Sequence, residues 1–435
     1  MKILISAYSC EPGRGSEPGV GWNVVRAVAE HHEVWVLTRP DESKHIIEAE
    51  LARNPVPNLH FVYFTLPFWK DSLRWGQSGA MQIHYYLWQI QAYFVARKLH
   101  REIGFDLTHH VTFVKYSNPS FLSLLPIPFV WGSVGGGESA PKAFWQDFSS
   151  KAKTYERLRG LARGVGELDP LTRLTARRSA LVRATTEDTA QRIRQWGIKN
   201  VEVISESGLP QQEIQRLGEF PMPQGSPVRF ISMGRLLHWK GFHLGLRAFA
   251  KANIPDAEYW LMGDGVERDN LQNLAEELGI AQKVKFWGRL PREQSLEKLS
   301  ECIALVHPSL HDSGGWVCLE AMAAGRPVIC LDLGGPAVQV TPETGFKVAA
   351  HTPEQAVEDL AQAMRSLAQE EQLRFTMGEA AKNRVTQIYS WEQIGLSLSQ
   401  LYQEIVTGKN QQLEPILTNS NKSVAQLQTT KTESE

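Results

Sequence analysis

Several features common in other protein classes are missing from this chain of 435 residues. No apolar run approaches the roughly 18 residues that a spanning helix needs. The N-terminus enters a strand pattern at once (Lys2 to Ala7), so neither a spanning segment nor a cleavable signal peptide is expected. Cysteine is scarce: Cys10, Cys302, Cys318 and Cys330 lie far apart or inside apolar patterns, without the short spacing of a zinc or redox pair. They read as reduced core thiols of a cytoplasmic protein. Neither sign of charge dominates, and a formal net charge of -1 argues against a nucleic-acid partner. No Asp-x-Asp stands at a strand end, so no metal is expected. What is present, 42% hydrophobic and 21% charged residues, is ordinary for a globular enzyme.

Short apolar runs alternate with helical patterns, which predicts a parallel α/β architecture. Strands are expected at Ile3–Ala7, Glu33–Thr38, His60–Phe64, Leu107–His110, Phe129–Ser133, Leu181–Thr185 and Val201–Ile204. The alternation then restarts at Arg229–Met233, Glu258–Met262, Val284–Trp287, Ala304–Val306 and Val328–Leu331. Between the halves, the span from Ser207 to Pro227 is rich in Pro and Gly and reads as a hinge. Domains are therefore expected at 1–210 and 211–390. A helix over 391–406 follows, and then a polar tail, 407–435, that reads as disordered.

Three segments carry chemistry. The loop Glu11-Pro-Gly-Arg-Gly15-Ser16 lies between a strand and a helix and could cradle a phosphate, although it does not match Gly-x-Gly-x-x-Gly. A tight turn without a ligand is the alternative. Ser232-Met-Gly234-Arg235-Leu-Leu-His-Trp-Lys240-Gly241 places a guanidinium and an ammonium beside a strand end, where they could clamp a diphosphate. Finally, His307-Pro-Ser-Leu-His-Asp312-Ser-Gly314-Gly315-Trp316-Val317-Cys-Leu-Glu320 runs from a strand through a Gly pair into a helix. A helix N-terminus there offers N–H groups to an anion, and a carboxylate one turn in can accept from a ribose diol.

These segments, with Gly263-Asp-Gly265, Phe286-Trp-Gly-Arg289-Leu290 and the run from Pro308 to Gly335, resemble family 4 of the retaining glycosyltransferases. The resemblance is strongest from about Phe230 to Trp391 and implies a GT-B fold, two Rossmann-like domains facing across a cleft. It implies that Arg235 and Lys240 hold the donor diphosphate, that Glu320 takes the ribose hydroxyls, and that Gly314 to Val317 present N–H groups to phosphate and sugar. Arg289 and Leu290 would lie near the base, and the final helix would cross back to the first domain. The implied reaction moves a hexose from a UDP- or GDP-linked sugar to a hydroxyl with retention, using no other cofactor. The leaving phosphate would help to deprotonate the acceptor, with protein cations in place of a metal.

One departure stands out: the acidic pair is usually Glu, seven residues, Glu, whereas here its first member is Asp312. The carboxylate is drawn back by about one C–C bond, ~1.5 Å, a displacement large enough to change rate. Adaptation to a donor is favoured over a lesion. In Asp106-Leu-Thr-His109-His110, the resemblance implies a histidine near the donor sugar; His109 and His110 compete for that role, with His110 preferred. Glu138, at the end of the next strand, is an acceptor-side candidate.

Basic residues crowd 151–178, and aromatics crowd Leu66 to Trp75 and His84 to Phe94. A basic surface beside aromatics suits docking on an anionic bilayer, peripheral to the inner face of the plasma membrane, with a lipid-linked acceptor as its consequence. Aromatics at helical spacing also suit a core. Alternative functions are a sugar-nucleotide binder without turnover and a GT-B epimerase.

Overall fold

A computed structural model of the protein describes residues 1–40, 43–67, 69, 79–205 and 207–408. Much of the aromatic stretch from Leu66 to Trp75, and all of the expected tail beyond Gly408, lie outside the described residues.

The first half supplies seven strands: β1 (Lys2–Ala7), β2 (Glu33–Thr38), β3 (Leu59–Tyr63), β4 (Leu107–Thr112), β5 (Phe129–Val134), β6 (Leu181–Ala184) and β7 (Val201–Val203). They form one sheet in the order β3-β2-β1-β4-β5-β6-β7, parallel throughout. The second half supplies β8 (Val228–Met233), β9 (Ala257–Met262), β10 (Val284–Gly288), β11 (Ala304–His307), β12 (Val328–Leu331) and β13 (Gly345–Val348). These pair as β10-β9-β8-β11-β12-β13, again all parallel. All twelve expected strands form. β13 is the addition, a four-residue edge strand whose exposed Lys347 breaks any apolar run.

Helices cover both faces of each sheet, so the central strands are buried on both sides and, β4 apart, read as largely apolar runs. One core is built on Ile3, Ile5, Val34, Val36 and Val130, with another on Leu4, Trp88, Phe129 and Trp131 across the same sheet. Phe230, Leu261 and Val306 anchor one face of the second sheet; Ile231, Met262 and Leu305 anchor the other. The four cysteines are buried and free.

The chain passes between the halves twice, side by side. The Leu209 N–H donates to the Tyr389 carbonyl at 2.8 Å, and the Trp391 N–H donates to the Leu209 carbonyl at 3.1 Å. The span read as a hinge is not one loose segment, because Gln211–Gly218 form a helix whose Ile214 and Leu217 enter the second core. The last helix, Trp391–Thr407, lies in the first half's core, where Gly395 meets the Ala27 backbone of helix Ser16–Ala29.

Candidate active site

In both sheets the strand order reverses beside the first strand, between β1 and β4 and between β8 and β11. Loops leaving neighbouring strands at such a point diverge and leave a crevice at the carboxyl edge, where ligands bind in open α/β sheets. Here the two crevices share one cleft of about 1390 Å³. Its first wall carries Pro12 to Glu17 after β1, Val114 and Lys115 after β4, and Gly135 and Gly136 after β5. The facing wall carries Gly234, Arg235 and Lys240 after β8, Arg292 after β10, and Asp312 to Val317 with Glu320 after β11.

Lys240 is held rather than free. Its Nζ donates to Asp312 Oδ2, and the same carboxylate accepts from His307 Nε2 at 3.2 Å. Burial opposes ionisation of Asp312, but the Lys240 ammonium and then His307 overcome it and hold the carboxyl far below the usual range. Asp312 Oδ1 also accepts the Gly315 N–H at 3.4 Å, so one carboxylate ties Lys240 to the glycine loop. The turn after Lys240 requires Gly241: its φ is +67°, and a Cβ there would strike the Pro308 carbonyl. Arg235 is exposed and makes no ion pair among the described residues.

Helix Trp316–Ala323 starts at Gly315, whose φ of +56° is left-handed. A Cβ at Gly315 would sit 2.9 Å from Gln339 Oε1. No side chain caps this helix and no acid occupies its first turn, so its N-terminal donors and dipole face the cleft. The Gly314 carbonyl, by contrast, is occupied: it accepts from Ser207 Oγ at 2.8 Å and from Gln339 Nε2. Glu320, one turn further, is buried, and burial raises its carboxyl above the usual value while the Arg292 guanidinium offsets part of that rise. Arg292 bridges Glu320 to Glu213 of helix Gln211–Gly218. Among the described residues, no three His, Cys, Asp or Glu side chains converge as a metal would need.

Behind Lys240 and Asp312, helix Ser150–Leu168 of the first half reaches into the second. Glu156 Oε1 accepts from His238 Nε2 and His311 Nε2, each at 3.1 Å. Burial opposes its charge, but the two imidazoles and Arg159 bring the carboxyl down to about 2. Trp239 is stacked between Tyr155 and His311, with ring centroids 5.3 Å apart on each side. Ser313 Oγ donates to Glu138 Oε2 at 3.0 Å, a further bond across the halves. Glu138 also accepts from Thr186 and Thr189, which makes it a buried joint rather than a group open to an acceptor.

Of the residues singled out in the sequence, Gly15, Ser16, Gly234, Arg235, Lys240, Asp312, Gly314, Gly315, Trp316, Val317 and Glu320 all line the cleft. Four do not. His109 and His110 are buried inside β4, and neither lines the cleft. His109 Nε2 donates to the Gly132 carbonyl and its Nδ1 takes the Tyr402 hydroxyl, tying β4 to the last helix. His110 Nε2 bonds the Thr112 carbonyl at 3.1 Å and Tyr85 Oη at 3.2 Å. Burial pulls both imidazoles down to about 3. Arg289 is exposed and Leu290 packs against the second core, both outside the cleft lining. Sequence reasoning missed Arg292, Glu213, Glu17 and Lys115. A positive residue three positions past Arg289 was visible, but its pairing with Glu320 depends on the fold.

Residues 221–384 match the family model described as Glycosyl transferases group 1. The lipopolysaccharide core biosynthesis glycosyltransferase LpsE of Rhizobium meliloti is 35% identical over 153 residues, which is 35% of this chain and 44% of that protein. The match thus spans less than half the length of this curated relative. Among solved structures, the lipopolysaccharide outer core galactosyltransferase WaaB superposes with a TM-score of 0.61 at 14% identity, over 93% of this chain and 100% of WaaB. HepE of Anabaena, solved with UDP and glucose, gives 0.55 at 18% identity over 93% and 100%. Two parallel sheets facing across one cleft give the chain a GT-B fold, and its segment 221–384, which contains Lys240, Asp312 and Glu320, is similar to the glycosyl transferases group 1.

Proposed function

We propose that the protein is a retaining hexosyltransferase, which moves a hexose from a UDP- or GDP-linked donor to a hydroxyl acceptor in polysaccharide or glycolipid assembly. The observation that carries this reading is the second wall of the cleft. Two cations, an uncapped helix N-terminus and a buried carboxylate all face one space. Arg235 and Lys240 stabilise charge on the departing diphosphate, often the largest single catalytic contribution. Protein cations there make a metal unnecessary. Glu320 accepts from the ribose hydroxyls, with Arg292 holding its charge when the donor is absent. Asp312 fixes Lys240, so the shorter acid is an adapted part of the clamp. The leaving phosphate then takes the acceptor's proton on the same face. The LpsE relationship favours a lipid-linked acceptor.

Thermal stabilisation by UDP, GDP and ADP and their sugar conjugates tests the donor site. A ligand at 100 times its Kd should add ~2.7 kcal/mol. A shift with one nucleotide supports the reading, and the anomer formed in turnover, read by NMR, tests retention. A shift without any product from acceptor or water would favour a binder without turnover.

A further inference from the structure

Helix Ser150–Leu168 has a second face that no other described residue covers. Leu158, Leu161, Val165 and Leu168 recur at helical spacing and are 61%, 68%, 71% and 74% exposed. Leu171 and Leu174 of the following helix, Pro170–Arg178, are exposed too. Ile83, 58% exposed, lies one turn before Tyr86, whose hydroxyl donates to Asp169 where the two helices meet. A monomer gains nothing by holding a row of leucine and valine in water.

The charges around this row are of one sign. All three acids of the segment are engaged: Glu156 by His238 and His311, Glu167 by Tyr116 and Arg192, and Asp169 by Tyr86 and the Leu171 N–H. Arg159 and Arg163 turn inward to the Glu138 carbonyl, at 2.7 Å each. Lys151, Arg157 and Arg177 remain exposed and form no ion pair among the described residues. An apolar stripe flanked by cations without exposed acids fits a helix that lies in a bilayer interface over anionic headgroups.

We infer that helix Ser150–Leu168 is the surface by which the protein docks on an anionic membrane, the leucine and valine row entering the acyl boundary and Lys151, Arg157 and Arg177 meeting the headgroups. This deepens the lipid-linked acceptor reading and rests on it only for its purpose, since binding to vesicles is read without turnover.

The test is flotation of the full chain with phosphatidylcholine vesicles, with and without roughly one-third phosphatidylglycerol. Wild type should float with the anionic vesicles only, and added salt should weaken binding. The double variant L161E/V165E, at exposed positions, should lose flotation by at least about tenfold while its melting temperature and its stabilisation by the donor nucleotide stay unchanged. No flotation of wild type, or equal flotation of the variant, overturns the inference. So does a wild-type dimer that the double variant converts to monomer without flotation by either, because that result assigns the face to a second copy of the chain. Failure of the nucleotide shift with flotation intact would instead count against the hexosyltransferase reading alone.

Discussion

The second sheet delivers its cleft residues from segments that begin where β8, β10 and β11 end, whereas the candidate histidines of the first sheet lie inside β4. Both sheets reverse order beside their first strand and both turn that edge to one cleft. The difference lies in which atoms can reach the ligand. A residue inside a strand buried on both faces points toward a layer of helices, and every residue of β4 is buried. Only residues past the strand's carboxyl end point along the strand axis into the crevice. After β4 those are Val114 and Lys115, two and three residues beyond Thr112. The general lesson is that a chemically suggestive side chain counts for less than its distance from the strand end.

The comparison can be broken most sharply in the second half. Lys240→Ala and Glu320→Ala should each lower kcat/KM by ~2–5 kcal/mol in transition-state stabilisation, because each removes one partner of a desolvated pair. Steady-state kinetics beside a thermal melt checks this; near-normal rates in both would sink the clamp. Asp312→Glu comes next, with an expected loss of ~1–2 kcal/mol, since the longer arm displaces the ammonium it holds. A rise in activity would mark Asp312 as a lesion.

The first-half histidines should behave in the opposite manner. His109→Gln is expected to lower stability by ~1–3 kcal/mol through the lost bonds to Gly132 and Tyr402, with kcat within about twofold of wild type. A large fall in kcat without loss of stability would return the residue to the donor. Titration gives an independent reading. Both imidazoles are pulled down to about 3 when folded, against about 6.5 when unfolded. The unfolded chain therefore binds the extra protons first, and stability falls as pH drops from about 6.5 toward 3. Melting curves across that window should be shallower for His109→Gln. The smallest effect is expected at exposed Arg289, where alanine should change kcat/KM by less than about 0.5 kcal/mol.

Strand positions were legible because a parallel sheet covered on both faces demands uninterrupted apolar runs, and only the edge strand β13, with Lys347 exposed, escaped. Lys240, Asp312 and Glu320 were legible because glycines fix their loops locally. The partners that hold them were not. Arg292 meets Glu320 from 28 positions away and Glu213 from 79, through the packing of three separate segments. Glu156 lies 82 residues before His238 and 155 before His311. No spacing rule joins such positions, because it is the docking of one half on the other that brings them together.

The bond from Glu156 to two imidazoles has a mechanical consequence. His238 is two residues from Lys240, and His311 adjoins Asp312. Trp239, gripped between Tyr155 and His311, fills the gap between those contacts. A tilt or slide of helix Ser150–Leu168 would therefore pull on the segments that carry the lysine and its aspartate. The outer row of leucines and the inner clamp are the two arms of one lever, with Glu156 as its pivot pin.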